Sequence, residues 1–341
     1  MRVLLSLLFL CIGLHGASAQ DASPAAGKAQ VQRIAQDFVG PRYERLHSTM
    51  QAQADAWRRF CGAPSQPGVD TLDTAFRDAV LAWSSVNLVR YGPVSEDFRY
   101  ERIDYWPERR NEVARGLATL LAVQEPVRAD GMKARSVAAQ GLPVLERLLH
   151  EEGAREQLVT GESSGRRCEI GQAVSDNLAT IASEIRDGWS ALVAQLGTAD
   201  EAALRQAATR MATDLLTVYQ VVGDQKLDGP LGGSAEEARP KAAQYWRSGL
   251  SGPSIAASLG AAAELESLVL GPDNEAVRSA RDAAEAAAAL SGPVMDLVTT
   301  NEGGRELLRL RNAVRLARDQ ASLAVPPALG VSVGFNSLDG D

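Results

Sequence analysis

The stretch "QGLPVLERLLHEEG", residues 140–153, has the spacing of a helix with one apolar face. Leu142, Leu145 and Leu149 stand at i, i+3 and i+7, which is the stripe that an amphipathic helix buries. Glu146 falls inside that stripe. A buried carboxylate is costly unless it meets a cation, a metal or several hydrogen-bond donors. The stretch therefore predicts a helix whose acid either turns out to solvent or faces a polar site.

Helical patterning extends over most of the chain, where alanine, leucine, glutamate and arginine dominate and β-branched runs are short. Gly-Pro steps punctuate the pattern, as expected where one helix ends and another begins. The last residues, 325–341, are too rich in proline and glycine to predict a helix. The predicted helices are 27–61 (broken or kinked at 40–41), 70–90, 107–123, 126–151, 170–196, 200–223, 236–249, 253–270, 273–289 and 293–319.

These features predict an all-α fold of two antiparallel helical-bundle domains with a polar cleft between them, because helices joined by short loops pack as bundles. The boundary is expected near "LGTADEAA", residues 196–203, where a helix end is followed by a new cap. This gives an N-terminal bundle of residues 20–197 and a C-terminal bundle of 198–341. Residues 161–171 are expected to form a flexible connection within the first bundle.

The first 19 residues have the pattern of a secretory signal, in which Arg2 precedes a short apolar run and "ASA" precedes Gln20. We expect cleavage after Ala19, no lipid anchor and export to a bacterial periplasm. The apolar run is too short to span a bilayer as a permanent helix. No later stretch is long and apolar enough to span one, so no stable membrane insertion is expected.

The net charge of the chain bears on which partners it can bind. Removing 19 residues from the 341 leaves 322 and takes the formal net charge from −8 to −9. An acidic chain argues against a nucleic-acid partner, whose phosphates favour a basic surface.

Cys61 and Cys168 remain after removal of the signal, and in an oxidising compartment the simplest expectation is a disulfide between them. A two-cysteine metal or redox site is the alternative, although no C-x-x-C spacing supports it.

Common catalytic motifs are missing from the sequence. It contains no H-E-x-x-H and no glycine-rich loop followed by Lys-Ser or Lys-Thr. Together these absences argue against an ordinary hydrolase.

Polar and aromatic residues instead concentrate in three stretches, residues 90–110, 224–233 and 244–254. The simpler interpretation is solvated loops and helix ends, with Arg247 complementing a helix dipole. The other is a shared binding cleft between the two bundles, in which carboxylates of Glu101 and Asp104 join Glu146 as hard oxygen donors for iron or a similar cation. The predicted cleft residues are Arg90, Tyr91, Glu101, Arg102, Tyr105, Trp106, Lys226, Tyr245, Trp246, Arg247 and Ser248.

Several motifs, taken in order, resemble the imelysin-like family, and the likeness covers nearly all of the chain after the signal. The family resemblance implies an exported bacterial protein of two helical bundles that is associated with iron uptake, and the family name implies a peptidase activity. The motifs are Trp83, "RYGP" (90–93), "ERIDYWP" (101–107), "GLPVLERLL" (141–149), "DQKLDGPLG" (224–232), "YWRSGLS" (245–251) and "GFNSLDGD" (334–341).

The family signature G-x-H-x-x-E, thought to supply a pair of metal ligands, is matched here by residues 141–146 except that Pro143 stands in place of the histidine. Glu146 carries over as a ligand and the histidine does not. His150 lies one helical turn after Glu146 and is either a substitute ligand or part of a solvated helix end. In a third interpretation, Glu146 pairs with an arginine such as Arg90 or Arg102 and needs no metal.

Three functions are consistent with these features. The first is a periplasmic binding protein of iron acquisition that holds iron, another divalent or trivalent cation, an iron-bearing ligand or a partner at the cleft. The second is a metal-dependent peptidase, which only the family name implies. The third is an interaction subunit with a degenerate metal site, whose partner is another cell-envelope protein.

Overall fold

The computed structural model describes residues 24–333 and is all-α, as the sequence predicts. No β-strand is found in residues 24–333. The signal sequence and the closing motif at 334–341 lie outside the described residues. The helices of the first half are α1 (Pro24–Arg33), α2 (Gly40–Gly62), α3 (Gln66–Ser84), α4 (Arg99–Ile103), α5 (Glu112–Ala122), α6 (Leu142–His150), α7 (Ala154–Val159) and α8 (Ser164–Thr198).

The second half continues with helices that are joined by equally short connections. A π-helical turn precedes α2 at Ile34–Val39, and another follows α9 at Val221–Leu227. The helices are α9 (Glu201–Gln220), α10 (Asp228–Leu231), α11 (Ser251–Leu270), α12 (Glu275–Ala288), α13 (Val294–Leu297) and α14 (Asn301–Ala328).

The helices pack in two groups that meet along their sides. In the first group α2 lies between α3 and α8, and α6 contacts both α3 and α8. In the second group α11, α12 and α14 pack together, with α9 against α14. Helix α3 packs on α11, so one continuous apolar core runs through both groups. Within the described residues, no helix is both long and apolar enough to cross a membrane.

Close packing in the first group depends on one glycine. Trp57 on α2 is fully buried, and its ring lies directly against Gly171 on α8. A Cβ atom at position 171 would lie 2.3 Å from a ring carbon, so only glycine lets the two helices approach this closely. The predicted disulfide is confirmed nearby, where Cys61 at the end of α2 is bonded to Cys168 in the first turns of α8.

Several predicted helix boundaries are wrong. The predicted helix 126–151 is regular only from Leu142, and 107–123 begins at Glu112. Residues 236–249 form two short 3₁₀ turns and a loop, and Tyr245 there has a positive φ of 54°. The expected flexible connection at 161–171 is already helical from Ser164.

The C-terminal prediction also fails in part, because α14 continues through Pro326 and Pro327 to Ala328. Proline lacks an N–H, but its carbonyl can still accept a hydrogen bond, and the helix ends within one turn. Val331 N donates to Pro326 O at 3.0 Å, which closes the last turn. The expected boundary at 196–203 coincides with a break between α8 and α9, where Asp200 Oδ1 accepts a hydrogen bond from Ala203 N at 2.8 Å. The division into two domains remains a prediction.

Candidate functional site

A pocket of about 290 Å³ opens between the first turns of α6, the segment that follows α4 and the loop that precedes α11. Its walls come from both sides of the α8–α9 break. Ionisable and aromatic side chains dominate them. The lining residues are Asp104, Tyr105, Trp106, Pro107, Glu108, Arg110, Asn111, Pro143, Glu146, Arg147 and residues 241–247.

Glu146 is turned toward this pocket by the way that α6 begins. Gly141, just before the helix, has φ +85°, and a Cβ there would lie 2.6 Å from the main-chain oxygens of Arg102 and Ile103. Glycine therefore lets the start of α6 approach the end of α4. Pro143 occupies the first turn, where its missing N–H costs no helical hydrogen bond.

The carboxylate of Glu146 does not turn out to solvent, since only 4% of the residue is exposed. Oε1 accepts two hydrogen bonds from Ser248, one from the main-chain N at 3.0 Å and one from Oγ at 2.8 Å. Burial raises the pKa of Glu146, while these hydrogen bonds and the nearby charge of Arg247 act in the opposite direction. The cost of burying the acid is thus offset by donors from the second half of the chain.

Asp104 is the second buried carboxylate of the pocket. Its Oδ2 accepts hydrogen bonds from Trp83 Nε1 at 3.1 Å, from Gln244 Nε2 at 2.7 Å and from the Tyr245 hydroxyl at 2.7 Å. Burial raises the pKa of Asp104, and the three donors and Lys226 oppose that shift. Asp104 therefore connects α3 to the loop before α11.

Lys226 lies behind Asp104, in a separate cavity of about 30 Å³ that Gln244 and Arg90 also line. Its Nζ is buried and forms no hydrogen bond with any described residue. Burial lowers the pKa of Lys226 to about 8, although the charge of Asp104 favours the ammonium form. The lysine provides a countercharge behind the pocket rather than a group inside it.

Positive side chains also line the pocket. The guanidinium of Arg247 lies 4.2 Å from the ring centre of Trp246, and Lys241 Nζ lies 5.3 Å from the same centre. Arg147 is buried and forms ion pairs with Glu151 at 2.8 Å and Glu108 at 3.4 Å. Its charge is therefore balanced within the protein, whereas Arg247 and Lys241 form no ion pair with any described residue.

Some predicted cleft residues do not line the pocket. Tyr91 packs on Trp189 with ring centres 5.6 Å apart, and Glu101 is exposed. Arg102 is buried away from the pocket and donates hydrogen bonds to Gln140 at 3.1 Å and Asn177 at 2.9 Å. The expectation that Glu101 acts as a donor beside Glu146 therefore finds no support in its position.

The proposed arginine partners of Glu146 are wrong. Arg102 is bonded as described above, and Arg90 donates its main-chain N–H to Asp214 at 2.7 Å and its guanidinium to the Tyr100 hydroxyl at 3.0 Å. Ser248, rather than an arginine, is the hydrogen-bond partner of Glu146.

His150 does not join Glu146 either. Its Nε2 lies 3.0 Å from Asp73 Oδ1, and its ring packs against Phe76, both on α3. Burial lowers the pKa of His150, which Asp73 opposes. The alternative of a solvated helix end is also wrong, because only 13% of the histidine side chain is exposed.

Several pocket residues are not predicted from the sequence. Gln244 lies within the polar stretch 244–254, and Arg147 directly follows Glu146 in the chain. Glu108, Arg110 and Lys241 also line the pocket. These residues could have been inferred from the sequence because they are close in the chain to predicted site residues. The pocket walls are continuous segments, so neighbouring side chains line the same space.

The donor set does not fit the metal centre that the family signature implies. Pro143 carries no lone pair, and Oε1 of Glu146 is already hydrogen-bonded to Ser248. Between residues 24 and 333, no three His, Cys, Asp or Glu side chains lie close enough together to hold a metal ion. A metal bound directly by protein usually needs three or more such ligands.

Within the described residues, the fold and the site define an all-helical protein with an open pocket of ionisable and aromatic residues, built by segments from both halves. The chain belongs to the imelysin family, since the family model described as Imelysin (peptidase M75) matches residues 39–321. A search of curated proteins found no significant match.

Two solved structures share the fold. An imelysin-like protein from Psychrobacter arcticum 273-4 superposes with a TM-score of 0.70 at 19% identity, covering 92% of this chain and 99% of its own. A protein described as an iron-regulated protein A precursor, from Parabacteroides distasonis ATCC 8503, gives a TM-score of 0.68 at 15% identity, covering 89% and 97%. At these identities the similarity establishes the fold.

Proposed function

We propose that this chain is a periplasmic binding protein of bacterial iron acquisition, and that it takes up an iron-bearing ligand in the pocket at Glu146. The observation that carries the proposal is the pocket itself, which brings Glu146, Asp104 and Trp246 from three separated motifs to one space. Concave sites with a few convergent polar groups are typical of ligand binding. The description of one structural neighbour as iron-regulated supports the link to iron.

An iron-bearing ligand suits this pocket better than a bare ion. Glu146 and Asp104 already accept hydrogen bonds from the protein, whereas Arg247 and Lys241 form no hydrogen bond or ion pair with any described residue. A bare cation in the pocket would be repelled by these two charges. The same donor set gives no support to a metal-dependent peptidase, for which a set of metal ligands is required.

Uptake of radiolabelled iron by cells that lack this chain tests the proposal. Under iron limitation we expect the deletion to reduce uptake, and we expect the wild-type chain to restore it. The variant Arg247→Gln should restore it only partly, whereas Arg309→Gln, an exposed arginine on α14, should restore it fully. Equal uptake with and without the chain would refute a role in iron acquisition.

A further inference from the structure

Several cationic and indole groups that line the pocket remain unused as hydrogen-bond donors. The side chains of Arg110, Lys241 and Arg247 form no hydrogen bond or ion pair with any described residue, and neither do the indole N–H groups of Trp106 and Trp246. Each carboxylate of the pocket accepts at least one hydrogen bond from the protein, while Asp104 Oδ1 and Gln244 Oε1 are buried without a hydrogen-bond partner. Asp104 and Glu146 accept hydrogen bonds as described above.

Glu108 is engaged in the same way. Its Oε1 accepts a hydrogen bond from Val113 N at 2.9 Å and pairs with Arg147. The carboxylates of the pocket are thus partly satisfied within the protein, whereas the cationic side chains of Arg110, Lys241 and Arg247 have no hydrogen-bond or ion-pair partner among the described residues. A ligand that complements this wall must be rich in acceptors and negatively charged.

We infer that the pocket binds a small hydroxycarboxylate, either free or as its ferric chelate. This inference rests on the proposed function only in placing the ligand at this pocket. The guanidinium of Arg247 offers the two parallel N–H donors that a carboxylate accepts. The guanidinium lies 4.2 Å from the ring centre of Trp246, and this cation–π contact restricts the side chain before the carboxylate binds.

The free oxygen of Glu146 favours a ligand that also carries a hydroxyl group. Its Oε1 is occupied by Ser248, but Oε2 accepts no hydrogen bond from the described residues. A second carboxylate would be repelled there, whereas a hydroxyl can donate its proton to Oε2. An acceptor beside two free cations therefore favours a ligand that has carboxylates and one hydroxyl over a simple polycarboxylate.

The size of the pocket limits the ligand further. A volume of about 290 Å³ is at the lower end of the range for small-molecule sites. Cofactors with extended ring systems need larger cavities. A ligand of one or two dozen heavy atoms matches the space, and it also leaves the rim cations Lys241 and Arg110 within reach.

Isothermal titration calorimetry on the mature chain tests this inference with four probes: citrate, tricarballylate (which lacks the hydroxyl group), ferric citrate, and ferrous sulfate without chelator under anaerobic conditions. We expect citrate or ferric citrate to bind, tricarballylate to bind at least about fivefold more weakly, and affinity to fall as salt rises. Arg247→Gln should weaken binding about tenfold or more, since a charge-assisted pair is lost. Arg309→Gln is the matched control and should not change it.

Glu146→Gln separates the anion site from a metal site. Removing a negative charge beside the ligand should tighten tricarballylate binding by about three- to tenfold, because repulsion is removed. Loss of ferrous binding in the same variant, with no carboxylate binding in the wild type, would overturn the inference while leaving a role in iron acquisition intact. If no probe binds and the deletion leaves iron uptake unchanged, both proposals fail.

Discussion

Ser248 and Glu146 are 102 residues apart in the chain and are joined by two hydrogen bonds, both to Oε1 of the carboxylate. The serine belongs to the loop before α11, and the glutamate belongs to α6. Their contact holds the two walls of the pocket together and satisfies a carboxylate that would otherwise be buried without a partner. The stability of the fold and the chemistry of the pocket are therefore linked at this contact.

Ser248→Ala should lower the free energy of unfolding by about 1 to 2 kcal/mol, because one hydrogen bond to a buried carboxylate is lost while the main-chain bond remains. The pKa of Glu146 should rise, since the hydroxyl lowers it in the native protein. Urea unfolding measures the first effect. The control is Ser322→Ala, in which an exposed hydroxyl bonded to Asp319 O is removed, and it should change stability by less than about 0.5 kcal/mol. Equal losses in both variants would contradict the assigned role.

Gly141→Ala tests the close approach of α6 to the end of α4. Gly271 provides a matched control because it has the same φ of +85° but no atom within 4 Å of a Cβ, whereas at Gly141 two main-chain oxygens would lie 2.6 Å away. Backbone strain costs about 1 to 3 kcal/mol in both variants. Gly141→Ala should lose at least about 1 kcal/mol more in urea unfolding and should also weaken ligand binding. Similar losses at both positions would show that the contact with α4 is unimportant.

Glu266 should make stability depend on pH. It is fully buried, accepts a hydrogen bond from the Tyr219 hydroxyl at 2.5 Å, and burial raises its pKa from 4.5 to about 7. The native state therefore holds this proton more tightly than the unfolded chain, and stability falls as pH rises from about 4.5 to about 7. Asp214, whose pKa burial also raises to about 7, adds to the same slope.

Glu266→Gln should remove the contribution of Glu266, so the variant gains up to about 3 kcal/mol relative to the wild type between pH 4.5 and pH 8. Unfolding by urea at a series of pH values measures this difference. Glu285→Gln, an exposed glutamate on α12, should run parallel to the wild type. If Glu266→Gln also runs parallel, the carboxyl is not the source of the slope.

The disulfide closes a separation of 107 residues between the end of α2 and the start of α8. Chain entropy predicts a contribution of up to about 4.7 kcal/mol for a loop of about that length, and measured values are about 2 to 4 kcal/mol. Replacing Cys61 and Cys168 together by serine should lower stability by that amount under oxidising conditions. Cys61→Ser alone should lose nearly as much, because either change opens the bond. If the double variant is as stable as the wild type, the disulfide does not stabilise the fold.

Fold class could be predicted from the sequence because helical periodicity and short connections are local properties. The errors occur where tertiary contacts override that pattern. Residues 126–140 contain helix-forming residues, yet Gln140 Nε2 donates to the main-chain oxygens of Met132 and Arg135, and Gly141 has a conformation that ends any helix before it. The loop at 236–249 was predicted helical for the same reason, and Tyr245 is held there by Asp104.

The candidate site was predicted in outline, since Glu146, Asp104, Trp106 and Trp246 were selected from motifs and all line one pocket. The partners of those residues could not be predicted. Nothing in the sequence distinguishes Ser248 from Arg90 as the partner of Glu146, because the choice depends on how α6 and the loop before α11 approach each other. Contacts between residues so far apart in the chain can be identified only from the three-dimensional structure.

Asp104 accepts hydrogen bonds from Trp83, Gln244 and Tyr245. Trp83 precedes Asp104 in the chain, whereas Gln244 and Tyr245 follow it by more than a hundred residues. The pocket consequently cannot form on a nascent or partly translocated chain until residue 245 has emerged. A fragment that ends at the α8–α9 break would keep Glu146 and Asp104, but Glu146 would lose Ser248 and Asp104 would keep only the hydrogen bond from Trp83. Fragment complementation, in which residues 199–333 are added to residues 24–198, should therefore restore both folding and ligand binding together.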